Sequence, residues 1–207
     1  MQRTPALERR RRTLLAVLAG CLCIAALSSC ASPPDGASAP TTAPSPLETL
    51  VNLAAERLGS AEDAAASKWG TETRIDDPAR EQQVLDNVRV LAGQHELSPE
   101  LAEQIFFDQI QATESIQYTR FSEWVLDPTA APVERPDLTG VRSTIDRLTE
   151  AMVLELSANQ PVLLSDGCGD ARDRAVRSVA RSHQLDALYE RALERATKSY
   201  CVDAATP

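Results

Sequence analysis

Phe106, Ile110, Thr113, Gln117 and Phe121 recur at three- and four-residue intervals within FFDQIQATESIQYTRFSEW, residues Phe106 to Trp124, and so fall along one side of a long helix. An otherwise apolar stripe that carries a hydroxyl and a carboxamide one turn apart is unusual for a core. Each such group costs about 1–3 kcal/mol if it is buried without a partner. Thr113 and Gln117 are therefore either tied to other protein groups or placed for a ligand, and the stripe alone leaves both readings open. The chain around it favours helix throughout: it has 8 glycines and is rich in Ala, Leu, Arg and Glu, with no convincing period-two alternation. The expected fold is all-α, a bundle of about six helices.

The first thirty residues read as an export signal rather than as part of the fold. A basic flank, Arg9 to Arg12, precedes an apolar run from Leu14 to Leu27, which closes on Leu27-Ser28-Ser29-Cys30. The run is shorter than the roughly 20 residues a spanning helix needs. Its end resembles a bacterial lipobox, which would leave Cys30 as a lipidated N-terminus; an ordinary signal peptide that happens to contain Cys30 is the other reading. Residues 31–46, ASPPDGASAPTTAPSP, have nothing apolar to bury and read as a tether. Residues 47–207 then form one domain. The chain is expected outside the cytoplasm, either secreted or lipid-anchored on the outer side of the cytoplasmic membrane.

Charge and cysteines narrow the partners. With 21 Lys+Arg against 30 Asp+Glu the formal net charge is −9, and the signal holds several of the positive charges. A field of that sign opposes nucleic acid and anionic lipid, so no nucleic acid is expected, and a membrane only through a lipid on Cys30. Cys21 and Cys23 leave with the signal, and Cys168 and Cys201 remain as a pair. In an exported chain that pair is most simply a disulfide, worth about 3–4 kcal/mol from loop-closure entropy. No metal site is expected, because His95 and His183 stand at no ligand spacing to the thiols.

The domain divides at its caps and prolines. A first helix from Leu47 to about Lys68 puts Arg57 and Lys68 eleven residues apart, three turns with little angular drift, so both cations look the same way. Asp77-Pro78 caps a second helix reaching about His95, whose first turn holds Arg80 and Glu81. Ser98-Pro99 opens the long helix to Trp124. Leu126 to Pro136, with three prolines, reads as an extended connection. Helix resumes near Leu138, carries Arg142, and runs to about Ser157, where Asn159-Gln160-Pro161 breaks it. Two last helices, Asp170 to Ser182 and Gln184 to Tyr200, would be clamped by the disulfide. The arginines at 172, 174, 177 and 181 read as a solvated face.

No nucleophile beside a base, paired acid in an apolar stripe, phosphate loop or metal set is visible. What points inward is Arg57, Lys68, Arg80 and Arg142, with Thr113 and Gln117. Four cations in an acidic protein could neutralise a small dianion, and two neutral groups could add directional hydrogen bonds.

At AAERL (Ala54 to Leu58), Lys68-Trp69, Asp77 to Gln83, Asp108 to Trp124, RSTID (Arg142 to Asp146) and LDALYERALERATKSYC (Leu185 to Cys201) the sequence resembles the exported all-helical chorismate mutases of bacteria, the gamma class of the AroQ type. The resemblance spans nearly the whole mature domain. It implies a cofactor-free Claisen rearrangement of chorismate to prephenate and a possible homodimer with each pocket inside one chain. It further implies that Arg57 and Arg142 bind the substrate carboxylates and that Lys68 and Gln117 donate to the ether oxygen. Arg80 would assist near a carboxylate, Glu81 would accept from the substrate hydroxyl, and Asp77 and Thr113 would complete the binding site. Two positions depart from relatives: 117 is glutamine where members can carry glutamate, and 81 is glutamate where an exported member has an apolar residue. The rival class is a non-catalytic helical envelope lipoprotein that binds a partner or a small anion.

Overall fold

The computed structural model describes residues 44–202. The expected export signal, Cys30 and the tether up to residue 43 lie outside the described residues. Within them the chain forms seven α-helices and one 3-10 turn, and no strand.

Four helices surround a common interior. The first, α1 (Glu48–Lys68), contacts both α3 (Pro99–Leu126) and α4 (Leu138–Ala158), and α2 (Pro78–Gln94) packs against the same two. Small side chains permit this: Ala54, Ala61 and Ala65 on α1 are fully buried, so neighbouring backbones approach closely there. Leu50, Val51 and Leu58 bring the remaining apolar volume, against Ile105, Phe106, Met152 and Leu156.

Caps fix where each helix starts. Asp77 accepts from the Arg80 backbone N–H at 3.1 Å, Ser98 from Leu101 at 3.2 Å, and Asp137 from Gly140 at 3.0 Å. Gly70, at φ +67°, turns the chain out of α1 in the left-handed region that an L side chain adopts only with strain.

Three expectations need correction. The connection after α3 is not wholly extended, because the Asp127 side chain accepts from the Thr129 N–H at 3.0 Å and nucleates a 3-10 turn at Pro128–Ala130. Asn159-Gln160-Pro161 does break α4, which ends at Ala158, but Pro161 also stands in the first turn of a further short helix, α5 (Gln160–Leu163), where a missing N–H removes no bond. The last helix, α7 (Ala187–Ala196), starts and stops inside the expected limits. Asp186 caps it, accepting from Leu188 and Tyr189, and the segment 197–201 continues as turns rather than helix.

With α6 (Cys168–Ser182), α7 forms a second layer on α1 and α3. The disulfide joins Cys168 to Cys201 with Cα atoms 5.6 Å apart, so it ties the start of α6 to the turn beyond α7. Asp108, 1 % exposed on α3, accepts from Arg195 and from Ser199 at 2.6 Å. That buried carboxylate fixes the C-terminal layer in register. At the other end, the buried Ser45 donates to the Ala171 carbonyl at 2.7 Å, so the ordered packing reaches back to residue 45.

Candidate active site

The end of α1, the middle of α3 and the first two turns of α2 and α4 enclose a cavity of about 100 Å³. Arg57, Lys68, Asp77, Arg80, Glu81, Thr113, Gln117 and Arg142 all line it. The sequence separations explain the convergence. Arg57, Ala64 and Lys68 lie seven and eleven residues apart on one face of α1, and the methyl of Ala64 leaves room between the two cations. Ile110, Thr113 and Gln117 face them from α3, and Val84, Val141 and Ile145 supply apolar walls. Because α2 and α4 present their N-terminal turns to the cavity, their dipoles add positive potential.

Lys68 is 7 % exposed and donates to the Ile75 carbonyl at 3.1 Å and to Gln117 Oε1 at 3.0 Å. An ammonium only donates, so it fixes the rotation of the Gln117 amide with oxygen toward Lys68. The amide nitrogen is left with one long contact, 3.4 Å to the Thr113 carbonyl. Lys68 keeps one N–H and Gln117 nearly its whole NH₂ group for a ligand. Burial, and after it the Arg142 charge, pushes the Lys68 pKa down, while Asp77, Glu114 and Asp76 oppose the fall.

Arg57 is 3 % exposed. Its Nε donates to Thr149 Oγ1 at 3.3 Å, and its guanidinium lies 5.7 Å over the Phe106 ring. No carboxylate among the described residues comes within ion-pair distance of Arg57 or Lys68. Burial lowers the Arg57 pKa to about 10, with Asp146 and Tyr200 opposing, so it stays charged at neutral pH. A cation so enclosed and unpaired favours an incoming anion.

The other two cations are paired. Arg80 bonds Asp146 at 2.5 Å and Gln83 at 2.8 Å, and Arg142 bonds Asp77 at 3.1 Å. Asp77 thus caps α2 with one oxygen and holds Arg142 with the other.

Glu114 lines the cavity and was not singled out from the sequence. Burial, then the adjacent Glu81 carboxylate and a hydrogen bond between the two, raises its pKa to about 7. Its position one residue beyond Thr113 and three before Gln117 was the available signal. The Ile75 carbonyl was missed as well, and a backbone acceptor in a connection leaves no mark in residue type.

A family model described as chorismate mutase type II matches residues 48–118. The secreted chorismate mutase of Mycolicibacterium smegmatis is 46 % identical over 157 residues, covering 76 % of this chain and 87 % of that one. The secreted chorismate mutase of Mycobacterium tuberculosis is 43 % identical over 157 residues, covering 76 % and 79 %. A crystal structure of chorismate mutase from Burkholderia phymatum superposes with a TM-score of 0.73 at 33 % identity, over 76 % of this chain and 97 % of that one.

Proposed function

The chain belongs to the secreted chorismate mutases and, like them, is an exported enzyme that rearranges chorismate to prephenate; from that premise we propose how its own cavity performs the reaction. Chorismate carries two carboxylates, a hydroxyl and an ether oxygen. The rearrangement breaks the C–O bond while a C–C bond forms within the same molecule, so atoms and electrons balance without a co-reactant. An enzyme can help by holding the compact diaxial conformer and by stabilising charge that grows on the ether oxygen.

Arg57, unpaired and facing the cavity, takes one carboxylate. Arg142 takes the other by exchanging part of its bond to Asp77, and Arg80 adds charge beside a carboxylate. Guanidinium forks suit that task because two parallel N–H groups match two carboxylate oxygens. Lys68 and the Gln117 amide converge on the ether oxygen with their unused N–H groups. Glu81 accepts from the substrate hydroxyl, Thr113 lines the wall, and Asp77 aims Arg142. The observation that carries these assignments is the pair of buried cations, Arg57 and Lys68, on one helix face with only neutral protein partners.

Lipid on Cys30 would hold the enzyme at the cell envelope through the tether, and two copies would associate as a homodimer. Purified mature protein should remove chorismate absorbance while prephenate accumulates, with no added cofactor. A folded preparation that leaves chorismate unchanged would overturn the assignments.

A further inference from the structure

The arginines of α6 do not form one uniform solvated face. Arg172 is half-buried and spends its guanidinium on the Asp173 carboxylate at 2.8 Å. Arg174, Arg177 and Arg181 are exposed, and among the described residues no carboxylate comes within ion-pair distance of any of them. Intervals of three and four residues put the three on one side of the helix. Glu48, the acid that borders the same groove, accepts instead from the Ser178 hydroxyl at 2.6 Å. An acidic protein thus carries a local patch of cations without counter-ions.

The groove lined by these arginines also holds Pro44 and Ser45, at the start of the described residues. Ser45 is buried and bonded to the Ala171 carbonyl of α6, so the chain enters the fold at a fixed point beside the patch. Residues 31–43 separate that point from Cys30. An extended chain gains at most about 3.3–3.6 Å per residue, so lipid on Cys30 would keep the patch within about 50 Å of the membrane. The cavity stands away from the patch. With a rise of about 1.5 Å per residue, Lys68 lies about 30 Å along α1 from Glu48.

We propose that Arg174, Arg177 and Arg181 form a docking face for anionic phospholipid headgroups, which seats the enzyme on the membrane to which its tether leads. Guanidinium forks match the two free oxygens of a headgroup phosphodiester. The net negative charge of the protein does not forbid this, because at physiological ionic strength screening acts over about 8 Å and headgroups meet the nearest charges first. The proposal rests on the reading of the chain as held at the envelope, and it identifies the side turned to the lipid.

Vesicle sedimentation tests it. The mature chain without its lipid, residues 31–207, is mixed with vesicles of phosphatidylcholine alone or of phosphatidylglycerol and phosphatidylcholine in equal parts. It should bind only the anionic vesicles and be released by added salt. Arg174→Gln, Arg177→Gln and Arg181→Gln together should weaken that binding about a hundredfold, with chorismate turnover in solution unchanged. Removing as many charges elsewhere, with Arg74→Gln, Arg89→Gln and Arg147→Gln, should leave binding near wild type. Equal binding by the two triple variants, equal binding to neutral vesicles, or no binding to either would overturn the proposal. So would retention on a soluble polyanion such as heparin with none on vesicles. The mass of the N-terminal peptide from protein recovered from cells decides separately whether Cys30 carries lipid, and the vesicle result judges the face in either case.

Discussion

The floor and the rim of the cavity hold two cations each, under opposite conditions. Arg57 and Lys68 at the floor are 3 % and 7 % exposed and bond only neutral groups. Arg80 and Arg142 at the rim have side chains 24 % and 37 % exposed, and each already has a carboxylate. A paired, half-solvated arginine that binds substrate exchanges one partner for another, so its net gain is small. A desolvated cation without a counter-ion lacks that alternative, and a ligand anion relieves it. The floor should therefore dominate catalysis, and the rim should tune capture.

Lys68→Met should break the comparison hardest. It removes the ammonium proposed to reach the ether oxygen, and kcat should fall about 10²–10³-fold, as deletions at oxyanion sites do. Gln117→Glu sharpens the same region through pH. A carboxylate cannot donate, so activity should be low near neutrality and partly recover as the acid is protonated. Steady-state rates across about pH 4–8 decide this, and equal profiles for the two proteins would remove Gln117 from its role. At the rim, Arg142→Met should cost only about tenfold in kcat/KM, near 1.4 kcal/mol, because Asp77 has water as a substitute partner.

The smallest effect concerns Glu114. Its carboxyl binds its proton more tightly folded than unfolded, at about 7 against an ordinary 4.5. Between those values the folded state holds the extra proton, so stability declines as pH rises through that window and is level above it. Glu114→Gln should flatten that slope in melting temperature. An unchanged slope would show that burial and the neighbouring Glu81 do not raise the Glu114 pKa.

Much of this site was readable from residue spacing. The Arg57–Lys68 interval and the Thr113–Gln117 turn follow from helix geometry alone, and Asp77-Pro78 announces the cap of α2, while its place at the cavity was implied only by the family resemblance. Interactions between distant elements were not readable. That Arg80 meets Asp146 and that Glu114 meets Glu81 depend on how helices cross, which local periodicity leaves open. Helix ends were the weakest reading. The turn at Pro128–Ala130 depends on one Asp127 side chain, and Pro161 opens a helix in a place where it reads equally well as a stop.

In the proposed mechanism the floor charges serve the substrate at the expense of the fold. Arg57→Met keeps most of the side-chain volume while deleting the buried charge, so its melting temperature and its kcat/KM, measured on one preparation, address that directly. The expected result is a melting temperature equal to or above wild type with kcat/KM lower by about a hundredfold or more. A protein that melts several degrees lower yet turns over chorismate at the wild-type rate would mean that Arg57 holds the bundle together and does not bind the substrate.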